Sequence, residues 1–211
     1  MQDPTPDLLI RAYSRGIFPM VDRRSGEVVW LSPDPRGILP LDGLRVSKSL
    51  ARAVRSGRFE IRSNGAFGEV IRECAAARPG RWETWIDERL VDAYTRLHEM
   101  GLAHSVEAWR DGELVGGLYG VQVGAAFCGE SMFSRPERGG TDASKVCLVK
   151  LVEWLRGGGF QLLDTQFTSP HLERLGVIEV PRDAYLERLG EALRRWGDWP
   201  GCSAWAPPGR S

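Results

Sequence analysis

Apolar residues recur along this chain at every third or fourth position in some stretches and at every second in others. The change of period marks out the elements. Residues 4–15 read as a short helix with Leu8, Leu9 and Ala12 inward, stopped by Gly16-Ile17-Phe18-Pro19-Met20. Val28 to Leu31 reads as a strand, and Ser32 to Gly37 as a rigid turn in which two prolines fix φ. Ser47 is placed to cap a helix that Gly57 closes. Phe59 to Arg62 predicts a strand, Asn64 the cap of a helix reaching Ala77, and Asp87 the cap of a helix over Glu88 to Met100. Three strand signals follow: Ala103 to Arg110, then Glu113 to Gly120 after an Asp111-Gly112 turn, then Val121 to Phe127. A helix from Ala143 to Arg156 ends in three glycines. A strand over Phe160 to Asp164, a loop over Thr165 to Pro170 and a last helix over Arg182 to Trp196 complete the pattern. The tail from Gly197 to Ser211, with Trp199 and Trp205, reads as irregular.

Strand–strand–strand–helix–strand–helix over residues 103–196 is an α+β pattern. It fits an acyltransferase-type fold in which two neighbouring strands splay apart to admit an acyl donor. Coenzyme A is disfavoured, because the turn Arg135 to Thr141 lacks the R/Q-x-x-G-x-G/A spacing that such enzymes use to hold it. At 211 residues the chain is long enough for a full core, as one domain or one domain with a small lobe.

The chemistry concentrates in Phe127 to Ser134 and in Asp142 to Lys145. Glu130 sits there among apolar neighbours with Ser131 and Ser134. A carboxylate in such surroundings needs a cation or hydrogen-bond donors. It either receives a cationic ligand or pairs with an internal arginine, and the segment alone leaves both open.

The formal net charge is zero, yet Arg36 to Arg62 holds seven basic residues against two acidic ones, a local +5 that the rest of the chain balances. On the helix after Ser47, Lys48, Arg52 and Arg55 fall on one face, with Leu50 and Val54 opposite. Four scattered cysteines without a CxxC pair, and three histidines in no ligand spacing, predict no metal site. They suit a reducing cytoplasm. No run is long enough to span a membrane, and Met1-Gln2-Asp3-Pro4 does not open like a secretion leader.

Seven motifs in order make the chain resemble the leucyl/phenylalanyl-tRNA–protein transferases, the bacterial N-end-rule aminoacyltransferases. They are Ala12 to Pro19, Trp30 to Gly37, Thr84-Trp85-Ile86, Ala103 to Trp109, Leu114 to Gly120, Gly129 to Ser134 and Asp164-Thr165-Gln166. The resemblance implies a small N-terminal α/β lobe over residues 1–60 and a GNAT-type catalytic domain with a splayed mixed sheet over 61–211. It implies transfer of Leu or Phe, and less well Met, from charged tRNA to proteins that begin with Arg or Lys. Because the aminoacyl ester is already activated, no cofactor is expected.

By the same resemblance Asp164 and Gln166 relay the proton and polarise the amine, while Glu130 orients the acceptor. Gln166 is no ordinary proton acceptor, so a positional role suits it better. Lys48, Arg52 and Arg55 match a tRNA-binding cluster. Trp85 and Tyr94 match donor-site aromatics, with core packing the other reading of Tyr94. Met20 stands where the family often has Trp, so stacking there would either weaken or move to Trp30. Leu118, Phe127, Met132 and Phe133 are expected to form the aminoacyl pocket. Alanine at Asp164 or Glu130 is expected to abolish transfer and spare the fold. His104 and His171 read as structural. The rival readings are a small-molecule N-acyltransferase and a non-catalytic binder of tRNA ends or basic N-termini.

Overall fold

The computed structural model describes residues 4–77 and 84–200. β1 (Phe18–Val21) and β2 (Val28–Leu31) form a separate ribbon. The large sheet contains β3 (Arg36–Ile38), β4 (Glu60–Ser63), β5 (Ala103–Arg110), β6 (Glu113–Val123), β7 (Ala126–Ser134), β8 (Leu162–Gln166) and β9 (Ile178–Val180), in the order β4-β5-β6-β7-β8-β3-β9. The helices are α1 (Pro6–Tyr13), α2 (Lys48–Arg55), α3 (Phe67–Ala75), α4 (Glu88–Glu99), α5 (Ala143–Gly157), α6 (Pro170–Arg174) and α7 (Arg182–Leu193). All pairings in the large sheet are antiparallel except β7 with β8. That parallel pair needs a crossover, which α5 supplies.

Two apolar layers sandwich the sheet. One gathers Leu9, Val70, Leu90 and Leu189 from α1, α3, α4 and α7. The other gathers Leu50, Val146, Leu151 and Leu155 from α2 and α5. The α+β class and the mixed sheet agree with the sequence pattern.

Several boundaries differ, each for a local reason. The strand expected to stop at Gly120 runs on to Val123, and the turn falls at Gly124 (φ +60°), so the third strand covers Ala126 to Ser134. Gly120 is needed for space: a Cβ there would lie 2.4 Å from the Phe127 ring. Asn64 does not cap α3. Its side chain accepts from the Ser105 amide and meets His104 Nδ1, while buried Glu107 accepts from Ala66 N at 2.7 Å, at the helix start. The turn expected over Ser32 to Gly37 passes directly into β3. That strand, on the N-terminal side of the expected boundary at residue 60, is hydrogen-bonded between β8 and β9. The last helix ends at Leu193 rather than Trp196, and α6 and β9 are short elements that the periodicity does not predict. In the tail, Trp199 is buried, stacks on His104 and donates to Ser63 Oγ. Trp205 and Cys202 lie outside the described residues.

Candidate active site between two parting strands

β7 and β8 pair only from Ala126↔Leu162 to Cys128↔Asp164 and then separate. Both strands are irregular at the fork. On β7 the register against β6 shifts between Tyr119 and Gly120, leaving Glu130 as the extra residue of a bulge. Bulges re-aim a side chain and end regular pairing. On β8 the register against β3 shifts, and Gln166 takes a left-handed φ of +58°. Gly37 permits this, since a Cβ there would come within 2.7 Å of the Phe167 carbonyl.

A cavity of about 500 Å³ occupies the fork, lined by Leu118, Met132, Leu148, Leu151 and Leu163, with Glu130 and Gln166 among its polar walls. A smaller cavity of about 160 Å³, lined by Phe18, Met20, Trp85, Phe167 and Thr168, shares Glu130, Thr165, Gln166 and Leu172 with it. The two spaces thus meet at one acid–amide pair, in which Gln166 Nε2 donates to Glu130 Oε1 at 3.3 Å.

The two carboxylates of this region have unlike surroundings. Asp164 is fully buried and takes a two-pronged pair from Arg36, itself fully buried: Nε to Oδ1 at 2.9 Å and Nη2 to Oδ2 at 2.6 Å. Tyr185 Oη donates to Oδ2 at 2.9 Å, and the Gln166 amide to Oδ1 at 2.9 Å. Burial alone would lower the pKa of Arg36, but the hydrogen bonds and charge of Asp164 outweigh it and raise it. With four donors on its two oxygens and no opening to solvent, Asp164 is not placed to meet a substrate amine. Its bond to the Gln166 amide instead holds the left-handed turn that aims the Gln166 side chain at Glu130.

Glu130 is half-buried and borders both cavities. Burial raises its pKa, hydroxyls of Tyr13 and Tyr94 pull it back and the charge of Asp164 adds to the rise, leaving it at about 8.

The other expected residues divide. Leu118 and Met132 line the larger cavity, while Phe127 and Phe133 do not: Phe127 stacks on Trp199 in the core, and Phe133 is buried beside Gly117. The missing walls come from α5, whose Leu148 and Leu151 stand three positions apart. That spacing was visible in the sequence, but nine of the fifteen α5 residues are buried, so the two leucines did not stand out from the rest of its apolar side. Trp85 lines the smaller cavity. Trp30 lies opposite Pro19 in the β1–β2 register and so on the other face of the ribbon from Met20, which it does not replace. Tyr94 is wholly buried and donates to Glu130 Oε2 at 3.2 Å, so it is more than core packing.

Lys48, Arg52 and Arg55 are all exposed along α2, where Leu50 is the one buried residue, and none of them has an ion-pair partner among the described residues. Arg36, counted with them in the basic stretch, belongs instead beneath the site. Among the described residues no group of His, Cys, Asp or Glu could hold a metal ion, and no helix is long and apolar enough to cross a membrane.

An apolar chamber between two parting strands, with an acid–amide pair at its edge, is the layout of an enzyme that holds an acyl group against an incoming amine. The chain belongs to the leucyl/phenylalanyl-tRNA protein transferase family, whose model matches residues 38–190, with the model of that family's N-terminal domain matching 2–34. Relatives named leucyl/phenylalanyl-tRNA–protein transferase include one from Paramagnetospirillum magneticum, 53% identical over 208 residues that cover 97% of this chain and 98% of the relative. Another, from Rhizorhabdus wittichii, is 56% identical over 189 residues, covering 89% and 75%. Among solved structures, a GCN5-related N-acetyltransferase-like protein from Streptococcus suis shows a partial likeness, with 16% identity, a TM-score of 0.39 and coverage of 82% and 63%. The PaiA N-acetyltransferase from Thermoplasma acidophilum, solved with coenzyme A, gives 18% identity, a TM-score of 0.36 and coverage of 48% and 74%.

Proposed function

We propose that this chain moves Leu or Phe, and less well Met, from charged tRNA to the α-amine of proteins with an N-terminal Arg or Lys, marking them in the cytoplasm for N-end-rule degradation. The observation that carries this reading is the Glu130–Gln166 pair at the meeting of the two cavities. The aminoacyl side chain enters the larger, apolar space. A volume of about 500 Å³ falls within the roughly 300–1,000 Å³ of ligand sites, and Met132 adapts to more than one side-chain shape. The ester then lies beside Glu130 and Gln166, with Trp85 beyond it.

The acceptor amine has an ordinary pKa of about 7.7–8.0, close to that of Glu130 in its site. Proton transfer between the two is nearly balanced, the condition in which a general base works well near neutral pH. Ionised Glu130 takes the proton as the amine nitrogen attacks the ester carbonyl carbon. The new C–N bond forms, the tRNA ribose oxygen leaves, and it receives the proton. Gln166 orients the reactants by its amide, and Asp164 and Arg36 hold Gln166 from below. Most of the acceleration comes from bringing amine and ester together. Lys48, Arg52 and Arg55 bind phosphates of the acceptor stem, a contact that does not depend on sequence.

The deciding assay follows labelled leucine from Leu-tRNA onto an Arg-initiated peptide, with Phe-tRNA, Met-tRNA and an Ala-initiated peptide alongside. Transfer from Leu- and Phe-tRNA, weaker transfer from Met-tRNA, and none to the Ala-initiated peptide are expected. Absence of transfer from every charged tRNA sinks the reading.

A further inference from the structure

Below the cavities lies a hydrogen-bonded pair that the mechanism above does not use. Tyr13 on α1 and Tyr94 on α4 are both wholly buried, and their hydroxyl oxygens are 2.6 Å apart. Tyr94 Oη is also 3.2 Å from Glu130 Oε2 and donates to it. The direction of the pair follows from proton counting. An ionised carboxylate only accepts, and a phenol has a single proton to give. Once Tyr94 has given its proton to Glu130, its oxygen must accept from Tyr13. With Glu130 ionised, the hydroxyls therefore point one way, from α1 through α4 to the carboxylate. Burial, followed by the nearby charge of Glu130, holds both phenols well above their ordinary pKa, so they remain donors across the working range.

The geometry points to Tyr13 and Tyr94 as positioning residues that fix Glu130 from beneath, leaving its remaining lone pairs to face the cavities. Gln166 holds the other oxygen, so the carboxylate cannot rotate without losing a donor. Helix α1 thereby reaches the reacting centre through two hydroxyls, although no α1 residue lines either cavity. The titratable or charged groups around Glu130 are Tyr13 on α1, Tyr94 on α4, Tyr119 on β6, Cys128 on β7, Asp164 on β8 and Arg36 on β3, with His171 on α6 lining the same cavity. Asp164 raises the Glu130 pKa and Arg36 lowers it by less, and their ion pair holds both in place. The tyrosine pair is thus the adjustable element.

The link to proton transfer rests on the function proposed above, but the positioning itself does not, and the test separates them. The Glu130 side-chain carboxyl is titrated by carbon NMR in the wild type, Tyr13→Phe and Tyr94→Phe, its resonance identified by its loss in Glu130→Gln. Both phenylalanine variants are expected to raise the Glu130 midpoint by about one pH unit. The acidic limb of kcat/KM should move by the same amount, with KM for charged tRNA unchanged. A more acidic phenol, 3-fluorotyrosine incorporated at position 13, should shift the midpoint the opposite way.

A Tyr13→Phe midpoint equal to the wild type overturns the inference, as does a change in KM for the donor alone. If Tyr13→Phe does not fold, the fluorinated protein decides: a downward shift supports the inference and no shift overturns it. Should the wild type transfer nothing, the functional reading fails, and the titration still judges the positioning.

Discussion

Asp164 and Glu130 sit on neighbouring strands, and the sequence gives no hint that their surroundings oppose each other. Asp164 is closed off by a guanidinium, a phenol and a backbone amide. Glu130 is met by a phenol and a side-chain amide and borders open space. A charge fully matched by a fixed countercharge serves architecture. One that is supported by neutral dipoles can change protonation and so take part in chemistry. The difference is why the proposed mechanism gives the proton transfer to Glu130 and a supporting place to Asp164.

The sharpest way to break this contrast is Asp164→Ala. It strands a buried guanidinium, and unfolding free energy from urea titration should fall by about 3–5 kcal/mol, with transfer lost as well. Loss of fold stability along with transfer is thus the expected outcome for alanine at this position. Replacing both partners with apolar residues, Arg36→Met with Asp164→Leu, should recover much of the stability without recovering transfer. Full transfer by that double variant would return Asp164 and Arg36 to packing alone.

Glu130→Gln should lower kcat by about 10²-fold or more while the protein melts normally. The sign of its pH effect follows from linkage. Between the ordinary carboxylate range and about 8, native Glu130 keeps a proton that the unfolded chain has released. Wild-type stability should therefore fall as pH rises through that window and level off above it. Thermal melts of Glu130→Gln should lack that decline. If the wild type and the variant track each other across the window, the carboxylate is not held as described.

A third change probes the outer face. Alanine at Lys48, Arg52 and Arg55 together should raise KM for charged tRNA and lower the salt slope by about 2–3, as three lost phosphate contacts require. An unaltered slope would make that face ordinary surface. The smallest effect is expected within the apolar walls. Met132→Ala should change the ratio of Leu to Phe transfer several-fold, whereas Phe127→Leu should lower stability by about 1 kcal/mol and leave the ratio alone. The reverse outcome would restore Phe127 to the pocket.

Much of this was legible in one dimension. The capped helices after Ser47 and Asp87, the β5–β6 hairpin and the α5 crossover follow from periodicity and turn residues, and the structure places them there. Glu130 and Gln166 were legible as site candidates, and the structure brings them into contact. The rest depends on long-range packing. No local signal shows that Arg36 reaches Asp164 across 128 positions, so in sequence it reads only as a member of the basic stretch. The fork arises from two bulges whose register depends on partner strands. The face that Trp30 takes is set by the ribbon's register, which sequence spacing does not show.

Strand β3 has a consequence for any attempt to exchange parts among relatives. The two family models meet between residues 34 and 38, and Arg36 falls in that seam. A chimaera joined there inherits the guanidinium from one parent and the aspartate, the phenol and the glutamine it steadies from the other. Such hybrids should succeed or fail on that single junction, however well the remainder of each half is matched.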